Sequence, residues 1–263
     1  MVKAQGAGIA QERFRRVMWP VIKRYWDFDL KGYERLPADG PAILCPNHLS
    51  FIDSVFVAAT VTRNISFVGK AEYMDSWKTK YLFPMLGMIP IDRTGGSKAR
   101  AALDTAARVL ERGELFGIFP EGTRTRDGKL HKGRTGASRL AMETGAPIYP
   151  VGIVGTNLAL PPDSVRPRRG KVSISIGRPV RPERYVQMPE RHRAHRAMID
   201  EVMFEIRELS GQDYVNTYSG KADEAAEGAE TREAARPAHV HEPIAPVEAR
   251  EPDADRDLAS ASV

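Results

Sequence analysis

The chain has 263 residues, 42% of them hydrophobic, enough for one large domain with a sizeable core. Its single cysteine, Cys45, excludes a disulfide framework and any multi-cysteine metal site. The formal charge of +5 is unevenly spread: residues 221–263 hold five Lys or Arg against eleven Asp or Glu, so residues 1–220 carry +11. A globular part that basic points to an anionic partner, whether phosphate, a membrane surface or nucleic acid.

No run reaches the roughly 18 consecutive apolar residues of a membrane span, and the N-terminus lacks the pattern of a signal peptide. Residues 1–12 read as a loose terminus. Phe14, Val17, Met18, Val21, Ile22, Tyr25 and Trp26 then recur at helical spacing, with Arg13, Arg15, Arg16, Lys23 and Arg24 between them. This is a basic amphipathic helix that Pro20 is expected to kink. Its apolar stripe either lies in a lipid interface or packs on the domain.

Residues 27–41, with Gly32, Pro37, Gly40 and Pro41, form an irregular or edge-strand lead into the domain. Ala42–Cys45 is a buried strand, and Cys45 within it is read as a small buried residue. A tight loop follows, Pro46-Asn47-His48-Leu49-Ser50-Phe51-Ile52, and then a helix from Asp53 to Val61. Ile65–Val68 is a second strand, with a helical stretch over 71–83. Met88–Ile91 is a short apolar segment ending in Asp92, Arg93 and a glycine-containing loop. Ser97 is expected to cap a helix that runs to about Arg112. Leu115–Phe119 is a strand leading into the turn Pro120-Glu121-Gly122-Thr123-Arg124. A helix over 134–144 stops at Gly145, and strands are expected at 147–154 and 172–176. A helix covers 189–209, with Ile199, Val202, Met203, Ile206 and Leu209 on one face. From about residue 216 to 263 the composition turns to Ala, Glu, Pro and Arg, the signature of a disordered acidic tail.

Strands alternating with helices predict an α/β domain over 31–215 with a mostly parallel sheet. Functional loops of such a sheet gather at the carboxyl ends of its strands. His48, Arg93, Glu121 and Arg124 all follow predicted strands. His48 and Asp53 offer two readings. Either the carboxylate orients an imidazole base, or Asp53 is a helix cap beside an incidental loop His. There is no Gly-x-Ser-x-Gly elbow, so an enzyme-borne nucleophile is not evident and the base would activate a substrate hydroxyl. Arg93 and Arg124 suit an anion, because guanidinium matches phosphate oxygens bidentately. Gly122 allows close backbone approach. Glu121 either joins the site or partners a nearby Arg.

These residues resemble the glycerolipid acyltransferases, the group containing 1-acylglycerol-3-phosphate acyltransferase. His48-Leu-Ser-Phe-Ile-Asp53 looks like their H-x-x-x-x-D motif, and Gly87-Met-Ile-Pro-Ile-Asp92-Arg93 is similar to their second motif. Phe119-Pro120-Glu121-Gly122-Thr123-Arg124 matches the third, and Ile148-Tyr149-Pro150-Val151 resembles the fourth. The resemblance implies acyl transfer from acyl-CoA or an acyl carrier protein to the free hydroxyl of 1-acylglycerol 3-phosphate, or of glycerol 3-phosphate or another lysophospholipid or glycolipid. His48 would be the general base and Asp53 its orienting partner. Arg93, Glu121, Gly122, Thr123 and Arg124 would bind the phosphorylated acceptor. It implies no metal and no cofactor beyond the acyl donor.

A lipid acceptor favours docking of residues 1–30 on an anionic membrane, peripherally and at the cytoplasmic face. Many members of the family carry a more hydrophobic N-terminal segment than this one. A thioester or ester hydrolase and a non-enzymatic binder of anionic membranes are the competing readings. No nucleic-acid motif is evident beyond charge.

Overall fold

In the computed structural model the described residues are 8–70, 87–91, 96–161, 164 and 166–219. Their centre is a seven-stranded sheet of order β1-β8-β7-β2-β5-β3-β4. The strands are β1 (Asp27–Lys31), β2 (Ala42–Pro46), β3 (Ile65–Lys70), β4 (Met88–Ile91), β5 (Leu115–Gly117), β7 (Ile148–Val154) and β8 (Lys171–Ile176). Every pairing is parallel except β7 with β8. A second, two-stranded sheet pairs β6 (Leu130–His131) with β9 (Tyr214–Val215). The α/β, mostly parallel architecture expected from the sequence is therefore the one observed.

β2 lies at the middle of the large sheet and all five of its residues are buried. A strand buried on both faces reads as a continuous apolar run, which is why Ala-Ile-Leu-Cys shows no polar alternation. Ala42 and Leu44 face one core, with Phe56, Val57, Phe67, Val151 and Ile174. Ile43 and Cys45 face the other, with Phe116, Leu140, Met198, Val202 and Ile206. The first face is covered by α1 (Gly8–Tyr25) and α2 (Asp53–Thr60). The second is covered by α3 (Gly96–Glu111), α4 (Gly136–Thr144) and α7 (Arg191–Ser210). Short helices α5 (Thr156–Ala159) and α6 (Glu183–Val186) complete the order. Full burial of a side chain such as Phe56 contributes about 2 kcal/mol.

Several details differ from the expected pattern. α3 begins at Gly96, so Ser97 lies inside the helix instead of capping it. The stripe of α1 divides between two environments. Phe14 and Ile22 are buried and Met18, Trp19 and Trp26 pack partly against the core, whereas Val17 and Val21 are 66% and 57% exposed. Arg15 does not face solvent freely; its guanidinium donates to Arg63 O and Asn64 Oδ1 at 2.8 and 2.9 Å. Pro150 is accommodated inside β7 because it lies just past the last β8 pair; its carbonyl accepts the N–H of Gly177 at 2.8 Å.

Residues 216–219, assigned to the tail by composition, belong with the domain. Lys132 N–H donates to Thr217 O at 2.9 Å, and the Tyr218 ring lies under the Arg134 guanidinium at 5.2 Å. The helix expected over 71–83 and the loop holding Arg93 lie outside the described residues.

Candidate active site

The loop after β2 is shaped by one carboxylate. Asp53 is the first residue of α2 and fully buried, and its Oδ2 accepts the N–H groups of Leu49 and Ser50 at 2.7 and 2.8 Å. It thus turns back on the loop that precedes its own helix. The amino end of α2 adds a favourable field for that negative charge. The same Oδ2 is 2.9 Å from His48 Nδ1. A carboxylate in that position takes the N–H of the imidazole, which leaves Nε2 as the basic nitrogen. The helix-cap reading does not hold, because the N-cap of α2 is Ile52 and no side chain caps it; Asp53 instead organises the turn before the helix and orients the ring.

His48 is also held from its other side. Its ring stacks on Phe119, with centroids 3.8 Å apart and planes 17° apart, and its side chain keeps 18% exposure. Phe119 is there because β5 is the neighbour of β2: Ile118 N–H donates to Leu44 O at 3.0 Å and carries the following loop alongside His48.

That loop begins with Glu121, whose side chain is fully buried. Oε1 accepts the backbone N–H of His48 at 3.0 Å and Oε2 that of His131 at 3.0 Å. Burial pushes its carboxyl up to about 7, against the opposing pull of those two N–H groups. The sequence placed Glu121 among acceptor ligands. In the structure each of its oxygens accepts one backbone N–H, that of His48 and that of His131.

Gly122 has φ of 81°, and a Cβ there would come within 2.8 Å of Arg134 Nε. A left-handed backbone and a close neighbour both require glycine at that point. Thr123 and Arg124 are exposed. Thr125 N–H then donates to His48 O at 2.9 Å, so the residue following Arg124 is bonded directly to the His48 backbone. Of the site residues expected from sequence, His48, Asp53, Glu121, Gly122, Thr123 and Arg124 are gathered on the β2 and β5 loops. Arg93 lies outside the described residues.

Three contributors were not anticipated. Asn47, fully buried, donates from Nδ2 to Ile153 O and Gln212 Oε1 at 2.9 and 2.7 Å, and its Oδ1 accepts Ile153 N–H at 2.7 Å. It fixes the end of β2 to β7 and to the segment after α7. Asp127 and His131 form a second His–carboxylate pair, with Nε2 3.1 Å from both Asp127 oxygens. Burial pushes the Asp127 carboxyl up, but bonds from Thr125, Lys129 and His131 outweigh it and hold the group below the usual range. The spacing of four between Asp127 and His131 was the one visible signal.

No nucleophile of the protein stands beside the dyad among the described residues. Cys45 is fully buried on β2, and burial pushes its thiol up. The Ser50 hydroxyl donates to Leu160 O at 2.7 Å.

Residues 27–154, which hold both loops, match the family model described as Acyltransferase. Over those residues the chain is similar to the acyltransferases. The chain resembles a chloroplastic 1-acyl-sn-glycerol-3-phosphate acyltransferase of Brassica napus, 27% identical over 64% of this chain and 52% of that protein. It also resembles the 1-acyl-sn-glycerol-3-phosphate acyltransferase of Bacillus subtilis, 27% identical over 68% of this chain and 86% of that protein. The crystal structure of the 1-acyl-sn-glycerophosphate acyltransferase PlsC from Thermotoga maritima shares the fold, with a TM-score of 0.58 at 24% identity, over 76% of this chain and 82% of that one. The chain spans about half the length of the first curated relatives it matches.

Proposed function

We propose that this acyltransferase domain transfers a fatty acyl group from a thioester, acyl-CoA or acyl carrier protein, to the free hydroxyl of 1-acylglycerol 3-phosphate, giving phosphatidic acid. The observation that carries this reading is the Nδ1 contact of His48 with Asp53, which leaves Nε2 as base in a site that offers no nucleophile of its own among the described residues. The names of the relatives supply the acceptor. In this scheme Nε2 removes the proton of the acceptor hydroxyl as its oxygen attacks the thioester carbonyl. The carbon–sulfur bond then breaks, and the departing thiolate takes that proton from the imidazolium. One ester forms and one free thiol leaves. Arg124, exposed one residue before the bond to His48 O, is suited to the acceptor phosphate, with Arg93 as its expected companion.

The lipid acceptor calls for a membrane, and α1 supplies a suitable face. Ile9, Val17 and Val21 are exposed, and Arg13, Arg16 and Arg24 are exposed around them. Apolar contact with cationic flanks is the chemistry of peripheral docking on anionic lipid. No helix among the described residues is long and apolar enough to cross a membrane. We place the protein peripherally, at the cytoplasmic face. Flotation with anionic vesicles checks this: the double variant Val17→Glu, Val21→Glu should stay in the soluble fraction, and flotation equal to wild type would remove α1 from the interface.

The reaction itself is tested with purified protein, acyl-CoA or acyl carrier protein, and a set of acceptors, read by mass spectrometry. Acylation of 1-acylglycerol 3-phosphate above the other acceptors is expected. Thiol release that does not depend on acceptor would make the domain a thioesterase instead.

A further inference from the structure

A closed ring of hydrogen bonds ties the backbone of His48 to the loop that carries Arg124. His48 N–H donates to Glu121 Oε1, and Glu121 Oε2 accepts His131 N–H, each at 3.0 Å. The His131 ring, 2% exposed, sets Nε2 3.1 Å from both oxygens of Asp127. Asp127 Oδ1 accepts the Thr125 hydroxyl at 2.5 Å and Lys129 N–H at 3.0 Å. Thr125 N–H returns to His48 O at 2.9 Å and closes the ring. Arg124 is the residue just before Thr125 in the chain. Both backbone polar groups of the base are thus committed to the structure that places the candidate phosphate clamp.

Asp127 itself is the weak point of this ring. Its side chain is 44% exposed and its loop, over 126–129, is exposed throughout. Beside the bonds from Thr125 and Lys129, it is held inward by the buried imidazole of His131, fixed in turn by its place in β6 beside β9 and by its N–H on Glu121. A loop of this kind sits near the low end of local stability unless such a group tethers it. A phosphorylated acceptor has a set span from reacting hydroxyl to phosphate. A base and a clamp mounted on one rigid ring select that span, because misplacing one end costs the other.

We propose that the pair His131–Asp127 is a positioning element for the phosphorylated acceptor, holding the loop of Arg124 at a fixed place relative to His48. This rests on the acyl-transfer reading above. His131 and Asp127 need not touch the substrate; they act through Thr125 and Glu121.

Two variants test it. His131→Phe keeps an aromatic ring in the buried space but removes the N–H bonded to Asp127. His131→Gln keeps a side-chain N–H of similar reach. Acyl transfer is measured with 1-acylglycerol 3-phosphate and with monoacylglycerol of the same chain, and amide hydrogen exchange is followed at Thr125 and His48. In His131→Phe the KM for the phosphorylated acceptor should rise about tenfold, the scale of one charge-assisted hydrogen bond. The KM for the donor and the rate with monoacylglycerol should stay at wild-type values, and exchange at Thr125 should quicken. His131→Gln should recover most of the loss.

Equal losses with both acceptors, or a Gln variant as impaired as the Phe variant, would reduce His131 to core packing and overturn the proposal. If the wild-type protein acylates neither acceptor, the functional reading fails, and exchange still decides the ring: quickening at Thr125 and His48 in the Phe variant alone upholds the tether, and unchanged exchange removes it.

Discussion

Asp53 Oδ2 serves three donors at once: His48 Nδ1 at 2.9 Å and the N–H groups of Leu49 and Ser50 at 2.7 and 2.8 Å. The atom that shapes the turn is the atom that orients the His48 ring. Replacing Asp53 by Asn puts an amide N–H within reach of Nδ1, which favours the other imidazole tautomer and places the proton on Nε2. The expected result is a fall in kcat of about 10³-fold. His48→Ala should fall at least as far, and the double variant no further, because the two act as one unit. Steady-state kinetics on the three variants check this, and additive losses would show that Asp53 acts apart from His48.

Glu121 gives the protein a distinctive pH dependence. Its carboxyl titrates near 4.5 when unfolded and is pushed up to about 7 by burial in the fold. Between those values only the folded state keeps the proton, so stability falls as pH rises through this window. Above about pH 7 the loss is complete, on the order of 3 kcal/mol. Glu121→Gln carries no such charge and should lose this dependence, gaining on wild type from pH 5 to pH 8 in urea unfolding. Acyl transfer should nevertheless drop in the variant, because an amide cannot accept from His48 and His131 together. A constant difference between the two proteins across this range would mean that burial does not raise the carboxyl.

Gly117 lies at the end of β5 against an aromatic row. A Cβ there would come within 2.1 Å of the Phe67 ring, and Phe67 stacks towards Phe119 at 5.8 Å, which stacks on His48. Gly117→Ala is expected to cost about 2 kcal/mol by overpacking and to lower kcat by displacing Phe119. Gly170→Ala, where no atom lies within 4 Å of the added carbon, is the matched control. Thermal melts of the pair give the comparison; equal melting temperatures would show that Phe67 yields freely.

Asn47→Ala removes three bonds at once and leaves the N–H and C=O of Ile153 unpaired at a buried place. A loss of about 3 kcal/mol follows from stranding two buried groups. Chemical unfolding measures it, and Asn47→Asp, which keeps the acceptor for Ile153 N–H, should separate the acceptor contribution from the donor one.

The amphipathic helix shows where sequence reading stops. Phe14, Val17, Met18, Val21 and Ile22 share one helical stripe by periodicity. In the fold that stripe is wider than the contact it makes with the sheet and α2, so Phe14 and Ile22 are buried while Val17 and Val21 remain outside. Periodicity reports which residues are apolar on one side; it does not report how much of that side a neighbour covers.

Local pattern by itself determined the alternation of strands and helices, the buried run before His48, and the nearness of His48 and Asp53 across a turn of five positions. These depend on interactions between residues close in the chain, and such interactions are written in composition and period. The tertiary structure decided the rest. Only the placement of β5 beside β2 brings Glu121 behind His48, 73 residues away, and only the return of the chain after α7 sets Gln212 on Asn47, 165 residues away. Strand order and chain return are settled by competition among long-range contacts, whose partners no local window contains. For that reason the bonds by which Glu121 joins the backbones of the two histidines are legible only in the fold.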